Sequence, residues 1–445
     1  MAEAAPVADP AANLARLMEL VSPRVGLIRN VGRIQRGADQ PSPPILCQAT
    51  LSHYDYRTVP VRDRQAGGKG RTEAEAMASA IGEALERYCA SLPDVRRLRR
   101  ARWRDAGDHA IPPPDYVLYS ETQYAQAGFP YHRHAPDDEV TWLAARELPH
   151  GRDVLAPASL LYLAMPDQRR EDTFVTQTSN GLAAGPDLER AVLGGLYELV
   201  ERDAFLLTWM ARLPAPEVIL DADRGLIQAV RAHYARFGVE LRVFHLVTDV
   251  ALHAMMAIAL DKTGQGPACM VALGCHADPT AAALKSVFEI CQIMPGERRT
   301  FHDKPPAARL KTPRDVKTLE DHGAWLTVSE RLGELSFLLD SGRKVALDAL
   351  PDYSAGSTQK NLAHCVASLV AAGCRVAYAD LTTADLRDYP VRVVRAVATG
   401  LQPIHFGYGE ERLGGRRLFE LPRKLGLAAH VLGESDLNPC PHPLA

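Results

Sequence analysis

The sequence predicts a mixed α/β fold that is built by repetition of a strand–turn–helix unit. Residues 67–90 read GGKGRTEAEAMASAIGEALERYCA, and residues 182–205 repeat the pattern as LAAGPDLERAVLGGLYELVERDAF. A weaker third copy, GCHADPTAAALKSVFEICQ, occupies residues 274–292. In each copy an apolar run comes first, a glycine-bearing turn follows, and a long amphipathic helix ends the unit. The distances between the copies leave room for further strands.

Each repeat helix has a residue that suits its first position. Thr72, Asp187 and Asp278 stand where N-caps are needed, because their side-chain oxygens can accept hydrogen bonds from free backbone N–H groups. Ahead of the repeats we expect a disordered start over residues 1–12, a helix over 10–21, and strands near 25–31 and 45–54. Residues 243–260 are apolar but interrupted by polar side chains, which predicts two strands rather than a membrane span. Residues 112–136, rich in Pro, Tyr and His, predict irregular surface.

The composition narrows the class of protein. The 445 residues carry a net charge of -3 and form no basic stripe, which argues against a nucleic-acid-binding protein. The N-terminus lacks the basic and apolar regions of a secretory signal. The eight cysteines form no CxxC pair, which argues against a structural zinc site. Free thiols without an export signal fit the reducing cytoplasm.

Two pairs of glutamates are the chemically informative residues. Glu83 and Glu86 are three residues apart and share a helix face, as do Glu198 and Glu201 in the second copy. Apolar residues surround both pairs, and burying a bare carboxylate is costly, so we expect the carboxylates to be exposed, paired or bound to a cation. Repeat-related helices could bring the pairs together as oxygen ligands for magnesium. The alternative is an ordinary charged helix surface.

Other residues near the repeat turns suit phosphate. Arg87 and Arg202 directly follow the glutamate pairs and could neutralise phosphate or clamp the carboxylates. The GGKG segment, which contains Lys69, precedes a helix N-terminus, where backbone N–H groups attract anions. Asn180 belongs to the turn that opens the second copy. Neither segment has Walker A spacing, and each alone could be a plain flexible turn.

Together these motifs resemble the ATP-binding signatures of the YcaO superfamily. The matching residues are Ser79-x-x-x-Glu83-x-x-Glu86-Arg87, Glu198-x-x-Glu201 and the loop SNGLAAG over residues 179–185. The resemblance implies a YcaO-type ATP-binding fold, distinct from P-loop and kinase folds, over residues 51–445, after an N-terminal segment of residues 1–50. It implies that ATP lies among the repeat helices and that magnesium is held by Glu83, Glu86, Glu198 and Glu201. The implied nucleotide-binding residues are Lys69, Ser79, Glu83, Arg87, Asn180, Arg202, Gln292 and Arg298.

One signature departs from the family pattern. The third signature is Q-x-x-x-R, but Gly296 stands where the arginine belongs after Gln292. Arg298 is the arginine that we assign in its place.

The C-terminal sequence resembles that of the azoline-forming YcaO members. Pro439, Pro441 and Pro443 form a P-x-P-x-P motif that also contains His442. In the cyclodehydratases of thiazole/oxazole-modified microcin-type peptides, such a tail is thought to reach into or order the active site. A stiff polyproline segment loses little entropy on docking, which makes this role physically reasonable. The resemblance therefore implies a catalytic role for these four residues, in which the C-terminal region or His442 could assist proton transfer. The alternative is a disordered, proline-containing terminus.

The resemblance therefore implies an ATP-dependent cyclodehydratase that makes thiazoline or oxazoline from Cys, Ser or Thr of a ribosomal precursor peptide. It also implies a partner protein that binds the leader peptide, a homodimer, and possible association with a flavin-dependent azoline oxidase. Two alternatives stay open: other YcaO chemistry, namely thioamide or macroamidine formation, and a non-catalytic scaffold that docks peptide-modifying enzymes.

Overall fold

The computed structural model describes residues 10–52, 64–165, 169–220 and 225–444, so most of the expected disordered start lies outside the described residues. The helices are α1 (Pro10–Met18), α2 (Glu73–Ala90), α3 (Trp103–Ala106), α4 (Glu121–Tyr124), α5 (Ala158–Leu161), α6 (Leu188–Met210), α7 (Gly225–Ala235), α8 (Pro279–Asp303), α9 (Pro306–Arg309), α10 (Leu319–Trp325), α11 (Ser336–Leu339), α12 (Thr358–Ala371) and α13 (Arg417–Lys424). The strands are β1 (Ile28–Arg33), β2 (Ile45–Leu51), β3 (Gln65–Gly70), β4 (Leu98–Arg102), β5 (Glu139–Leu148), β6 (Arg152–Pro157), β7 (Leu182–Gly185), β8 (Glu217–Ile219), β9 (Val239–His245), β10 (His253–Asp261), β11 (Cys269–His276), β12 (Lys344–Ala346), β13 (Val376–Asp380) and β14 (Arg392–Ala398).

The strands form three sheets. The first has the antiparallel order β1-β2-β3, and the second has the order β11-β10-β9-β8-β12. The third has the order β4-β5-β13-β14-β7, with β6 paired to β5. The fold class predicted from the sequence is confirmed as mixed α/β. No helix in the described ranges has both the length and the apolar character that crossing a bilayer would need.

The predicted strand–turn–helix repeat is present three times. Strands β3, β7 and β11 each run into a repeat helix, respectively α2, α6 and α8. The expected N-caps also form, because Thr72 accepts a hydrogen bond from Glu75 N, Asp187 from Arg190 N and Asp278 from Thr280 N. These side chains satisfy backbone N–H groups that the first helical turn leaves free.

The three units close into a ring. Each repeat helix packs on its own strand and also on the strand of another unit: α2 contacts β7, α6 contacts β11, and α8 contacts β3. Every repeat helix therefore has one side toward the centre of the ring. Because the units are related by repetition, equivalent positions on the three helices face the same interior.

Small residues permit this close packing. A Cβ added to Gly68 of β3 would overlap backbone atoms of Ala76 and Ala80 in α2, and a Cβ on Gly274 of β11 would overlap backbone atoms of Ala282 and Ser286 in α8. The two glycines occupy the same place in the first and third units. They are required because the helix backbone lies directly against the strand.

The elements outside the repeats agree with the sequence in part. The apolar residues 243–260 form β9 and β10 with an intervening turn, as predicted, and β1 and β2 pair with β3 in one sheet. The prediction of irregular surface for residues 112–136 is wrong in one respect. Val117, Leu118 and Tyr119 are buried. Leu118 and Tyr119 belong to a cluster in which Tyr119 stacks on Tyr131, and the local sequence does not reveal this contact.

We predict that Gly68→Ala lowers the free energy of unfolding by about 1–3 kcal/mol, because the added methyl group must displace backbone atoms of α2. Gly296→Ala is a matched control, because this helical glycine has open space around its Cβ position and alanine should stabilise the helix by up to about 1 kcal/mol. Denaturant unfolding of both variants measures the difference. Equal stability of Gly68→Ala and the wild type would contradict the proposed close packing.

Candidate active site

One polar stripe runs along each repeat helix. In α6 every residue from Ala191 to Met210 is buried except Gly194, Glu198, Glu201 and Arg202. These positions recur at helical spacing, so they lie on one face. The corresponding stripe contains Ser79, Glu83 and Glu86 in α2, and Lys285, Glu289 and Gln292 in α8. The glutamate pairs predicted from the sequence thus stand on the faces that the ring turns inward.

These faces line a cleft of about 830 Å³. Of the residues predicted for nucleotide or metal binding, the cleft brings together Lys69, Ser79, Glu83, Glu86, Glu198 and Gln292. Its walls between the helices are made of small residues, including Gly82, Gly185 and Gly194. These glycines leave space for a ligand, while Leu14, Leu17 and Leu182 also line the cleft.

Backbone groups of the strands fix two of the carboxylates. Gly67 N donates to Glu83 Oε2 at 2.9 Å, and Ala184 N donates to Glu86 Oε1 at 2.6 Å. Arg87 Nη2 donates to the other oxygen of Glu83, also at 2.6 Å. Glu86 therefore bridges from α2 to the strand of the second unit. Each carboxylate keeps lone pairs that can face the cleft.

Burial and mutual repulsion shift the pKa values of the cleft carboxylates upward. Burial raises the pKa of Glu86 to about 8, and the charges of Glu83 and Glu198 raise it as well, against the Ala184 hydrogen bond. Burial also raises the pKa of Glu198 to about 7, an effect that the positive charge of Arg202 opposes. A bound cation would favour the ionised form of both carboxylates and so lower these raised pKa values.

Two lysines supply positive charge. Lys69 forms an ion pair with Glu289, and burial lowers the Lys69 pKa to about 8. Lys285 also lines the cleft and was not among the residues predicted from the sequence. The repeat contains a signal for it, because Lys285 occupies in the third unit the position that Ser79 occupies in the first.

The donor set fits magnesium and a polyphosphate. Glutamate oxygens are the ligands that magnesium prefers, and it usually completes its shell with water and substrate phosphates. Lys69 and Lys285 can contact phosphate oxygens from the same cleft. Within the described residues, no group of three His, Cys, Asp or Glu side chains is already arranged to hold a metal. A site that shares its ion with bound phosphates needs only one or two protein carboxylates.

A known family accounts for this arrangement. The model of the YcaO cyclodehydratases, an ATP- and Mg²⁺-binding family, matches residues 67–402. The chain belongs to the YcaO family. It is 28% identical over 355 residues to an uncharacterized protein of Methanothermobacter thermautotrophicus, a match that covers 78% of this chain and 84% of the relative.

Solved structures show the same fold. A heterocyclase in complex with substrate and cofactor superposes with a TM-score of 0.81 at 27% identity, covering 98% of this chain. This chain spans only 57% of the length of that heterocyclase. YcaO from Methanopyrus kandleri, bound with AMPPCP and Mg²⁺, gives a TM-score of 0.64 at 22% identity and covers 89% of this chain and 91% of its own.

A second cavity of about 240 Å³ adjoins the YcaO cleft. It shares Lys69, Lys285 and Glu289 with the cleft and adds Glu201, Arg202 and Leu444. Glu201, the fourth predicted metal ligand, therefore faces this smaller space. Arg202 lies near both carboxylates of its helix, 3.8 Å from Glu198 and 3.6 Å from Glu201.

Leu444 reaches this cavity because the proline-rich tail is docked. Asn438 N donates to Met210 O at 2.7 Å, and Trp209 Nε1 donates to Cys440 O at 2.9 Å, which fixes the tail at the end of α6. Beyond that point, residues 441–444 are buried. The tail is thus packed against the helix that carries Glu198 and Glu201, and the expected alternative of a disordered terminus does not hold for residues 438–444.

Three histidines hold the tail in place. His442 Nε2 donates to His405 O at 2.7 Å, while His322 Nδ1 donates to His442 O at 2.7 Å. On their other ring nitrogens, His322 accepts from Gly407 N and His442 accepts from Leu444 N. Each of these two rings therefore donates through one nitrogen and accepts through the other, which only a neutral imidazole can do.

Two residues predicted for the nucleotide lie elsewhere. Arg298 forms an ion pair with Asp39, in the segment between β1 and β2, and does not line the cleft. Asn180 lines a separate small cavity behind the cleft. Arg87 lies beside the cleft wall and acts through its bond to Glu83.

We predict that the histidine cluster makes stability pH-dependent. Burial lowers the pKa of His322 to about 4 and holds the pKa values of His405 and His442 well below the usual range, an effect that nearby Arg202 and Arg412 reinforce. The unfolded chain binds more protons below pH ~6.5, so the free energy of unfolding should fall as pH decreases from 6.5 to 5, by up to about 1.4 kcal/mol per histidine per pH unit.

Denaturant unfolding between pH 7.5 and 5 measures this dependence. His442→Gln should have a shallower slope than the wild type, whereas a substitution of the exposed His430 to Gln should leave the slope unchanged. Parallel slopes for the wild type and His442→Gln would refute the role assigned to the cluster.

Proposed function

We propose that this chain is an ATP- and magnesium-dependent cyclodehydratase that acts on the backbone of a peptide. The observation that carries the proposal is the convergence of Glu83, Glu86 and Glu198, from two repeat helices, on one cleft that also contains Lys69 and Lys285. Such a cleft combines ligands for a divalent cation with cations for a polyphosphate. The YcaO family to which the chain belongs is ATP- and Mg²⁺-binding, which supports the same assignment.

The residues divide by chemistry. We assign magnesium to Glu83, Glu86, Glu198 and Glu201, and the bound ion would neutralise charge on the transferring phosphoryl group. Lys69 and Lys285 would bind phosphate oxygens, and Ser79 and Gln292 would contact other parts of the nucleotide. Arg87 and Arg202 would orient the carboxylates beside them. Asn180 and Arg298, which do not line the cleft, receive no nucleotide contact in this assignment.

The proposed reaction activates an amide oxygen. A Cys, Ser or Thr side chain of the substrate loses its S–H or O–H proton to water and attacks the carbonyl carbon of the preceding amide. This step forms the ring C–S or C–O bond and leaves an oxyanion. That oxygen attacks the γ-phosphorus of ATP, and ADP leaves. The bond between the former carbonyl carbon and the phosphorylated oxygen then breaks, and phosphate leaves. The former amide nitrogen loses its proton, and a C=N bond forms. The sum is an azoline, ADP and phosphate.

The tail favours azoline formation over the other YcaO reactions. Residues 438–444 pack at the end of α6, and Leu444 lines the cavity that contains Glu201 and Arg202, so the docked tail supports the resemblance to the azoline-forming members. We assign a positioning role to Pro439, Pro441, His442 and Pro443. We further propose that the substrate is a ribosomal precursor peptide in the cytoplasm, that a partner protein presents its leader, and that the protein is a homodimer; an azoline oxidase could act afterwards.

We predict that magnesium plus ATP stabilises the wild type by about 2.7 kcal/mol at a hundredfold excess over Kd, because the ligand binds only the native state. Glu198→Gln should abolish this stabilisation, whereas Glu189→Gln, on an exposed position of the same helix, should preserve it. Thermal melts with ATP, with magnesium and with both give the measurement. If magnesium plus ATP raised the melting temperature of Glu198→Gln as much as that of the wild type, the proposal that the nucleotide binds in this cleft would be refuted.

The reaction itself is tested with precursor peptide and partner protein. We predict that mass spectrometry detects the loss of one water per ring, together with loss of alkylatable thiols where cysteines are cyclised. Thioamide formation would instead exchange oxygen for sulfur, and macroamidine formation would lose water while the thiols stay reactive. A scaffold would support turnover by other enzymes equally well with Glu198→Gln.

A further inference from the structure

A small cavity of about 90 Å³ lies behind the cleft. The loop that precedes β7 separates the two spaces: Asn180 lines the cavity, while Leu182, two residues later, lines the cleft. In the same way, Leu199 of α6 lines the cavity and Glu198 lines the cleft. The cavity is therefore next to the carboxylates of the proposed active site but is not part of it.

Unpartnered polar atoms are concentrated in the walls of this cavity. In the described part of the chain, fourteen buried side-chain atoms lack a hydrogen-bond partner, and six of them belong to residues that line it. These atoms are Tyr116 Oη, Gln177 Nε2, Asn180 Oδ1, Arg395 Nη1, Gln402 Oε1 and Arg412 Nε. A buried polar atom without a partner costs about 1–3 kcal/mol, so such a cluster indicates a space for a polar ligand.

The cavity also carries two buried guanidinium groups, although the Glu198 carboxylate acts on Arg395 from the cleft side and Arg412 lies over the Tyr119 ring. Arg395 and Arg412 are only 5% and 6% exposed, yet within the described residues neither forms an ion pair with a carboxylate. Their remaining bonds go to backbone oxygens: Arg395 Nη2 donates to Thr178 O and Arg412 Nη2 to Thr176 O. By contrast, the nearby Arg417 pairs with Asp203 at 2.8 Å. Burying an unpaired charge is costly, and an anion in the cavity would remove that cost.

The ligand must donate hydrogen bonds as well as accept them. Gln402 Nε2 already donates to Arg412 O at 2.9 Å, which fixes the orientation of the amide and leaves Gln402 Oε1 as an acceptor for the cavity. Asn180 Oδ1 is a second acceptor without a partner. A carboxylate offers no donor, and a backbone amide carries no charge. Hydrogen phosphate has a negative charge, oxygens for the guanidinium groups, and a P–OH group that can donate.

We propose that this cavity, the Arg395–Arg412 pocket, binds hydrogen phosphate. The size fits, because about 90 Å³ accommodates one tetrahedral oxyanion with a few waters but not a nucleotide. The source of the phosphate rests on the proposed function, in which phosphate is released in the cleft next to Glu198. The pocket would hold that product on the far side of the loop, away from the nucleotide.

The first test needs no variant. Calorimetric titration of the full chain with inorganic phosphate at pH 7, in EDTA and without nucleotide, should detect saturable binding. Sulfate has nearly the same shape but carries no proton at this pH, so it cannot donate to Asn180 Oδ1 and Gln402 Oε1. We predict that sulfate binds at least about tenfold more weakly. Equal affinities, or no saturable binding of phosphate, would overturn the proposal.

Variants then locate the ion. Arg412→Met should weaken phosphate binding at least about tenfold, while Arg416→Gln, on the surface, should leave it unchanged. Lys285→Gln removes a proposed phosphate contact of the cleft and tests whether the titrated phosphate binds there instead. Loss of binding in Lys285→Gln but not in Arg412→Met would place phosphate in the cleft and contradict the pocket. Glu198→Gln removes a negative charge that acts on Arg395, so it should keep or strengthen phosphate binding while it loses magnesium-dependent ATP binding. The outcome for the pocket is therefore independent of the outcome for the proposed function.

Discussion

The architecture depends on close contact between each repeat strand and its helix. Gly68 and Gly274 allow the backbones of α2 and α8 to lie directly on their strands, where any Cβ would overlap. This closeness lets each helix reach the strand of a second unit as well, which closes the ring of three. The polar stripes then have one shared interior to face. A packing requirement for small residues thus determines where the carboxylates meet.

The cleft has a high electrostatic cost in the free protein. The chain limits this cost through backbone donors from two strands, Gly67 to Glu83 and Ala184 to Glu86, and through the ion pair between Lys69 and Glu289. Even so, burial and repulsion keep the pKa values of Glu86 and Glu198 well above those of free glutamate. A bound cation would stabilise the ionised form of both carboxylates, and such strongly shifted pKa values are typical of functional sites.

Much of the repeat architecture and of the candidate site could be predicted from the sequence, because these features depend on local periodicity. The repeat units, their N-caps and the carboxylate faces all follow from local periodicity, and Thr72, Asp187 and Asp278 behave as expected. The sequence did not predict features that depend on contacts between residues far apart along the chain. Arg298 meets Asp39 instead of the cleft, and Arg395 on β14 lies beside the Asn180 loop only because β14 pairs with β7. Lys285 could have been found by treating the third copy as strictly as the first two.

The tail and the proposed cation site are coupled through one rigid element. Helix α6 carries Glu198 and Glu201 on its polar stripe, and its last residues, Trp209 and Met210, hold the tail through Cys440 and Asn438. A rigid, almost fully buried helix cannot move at one end without the other. Release of the tail would also withdraw Leu444 from the cavity that contains Glu201. Leu444 therefore completes the wall of the cavity that contains Glu201, and the hydrogen bonds that hold the tail require neutral rings at His322 and His442.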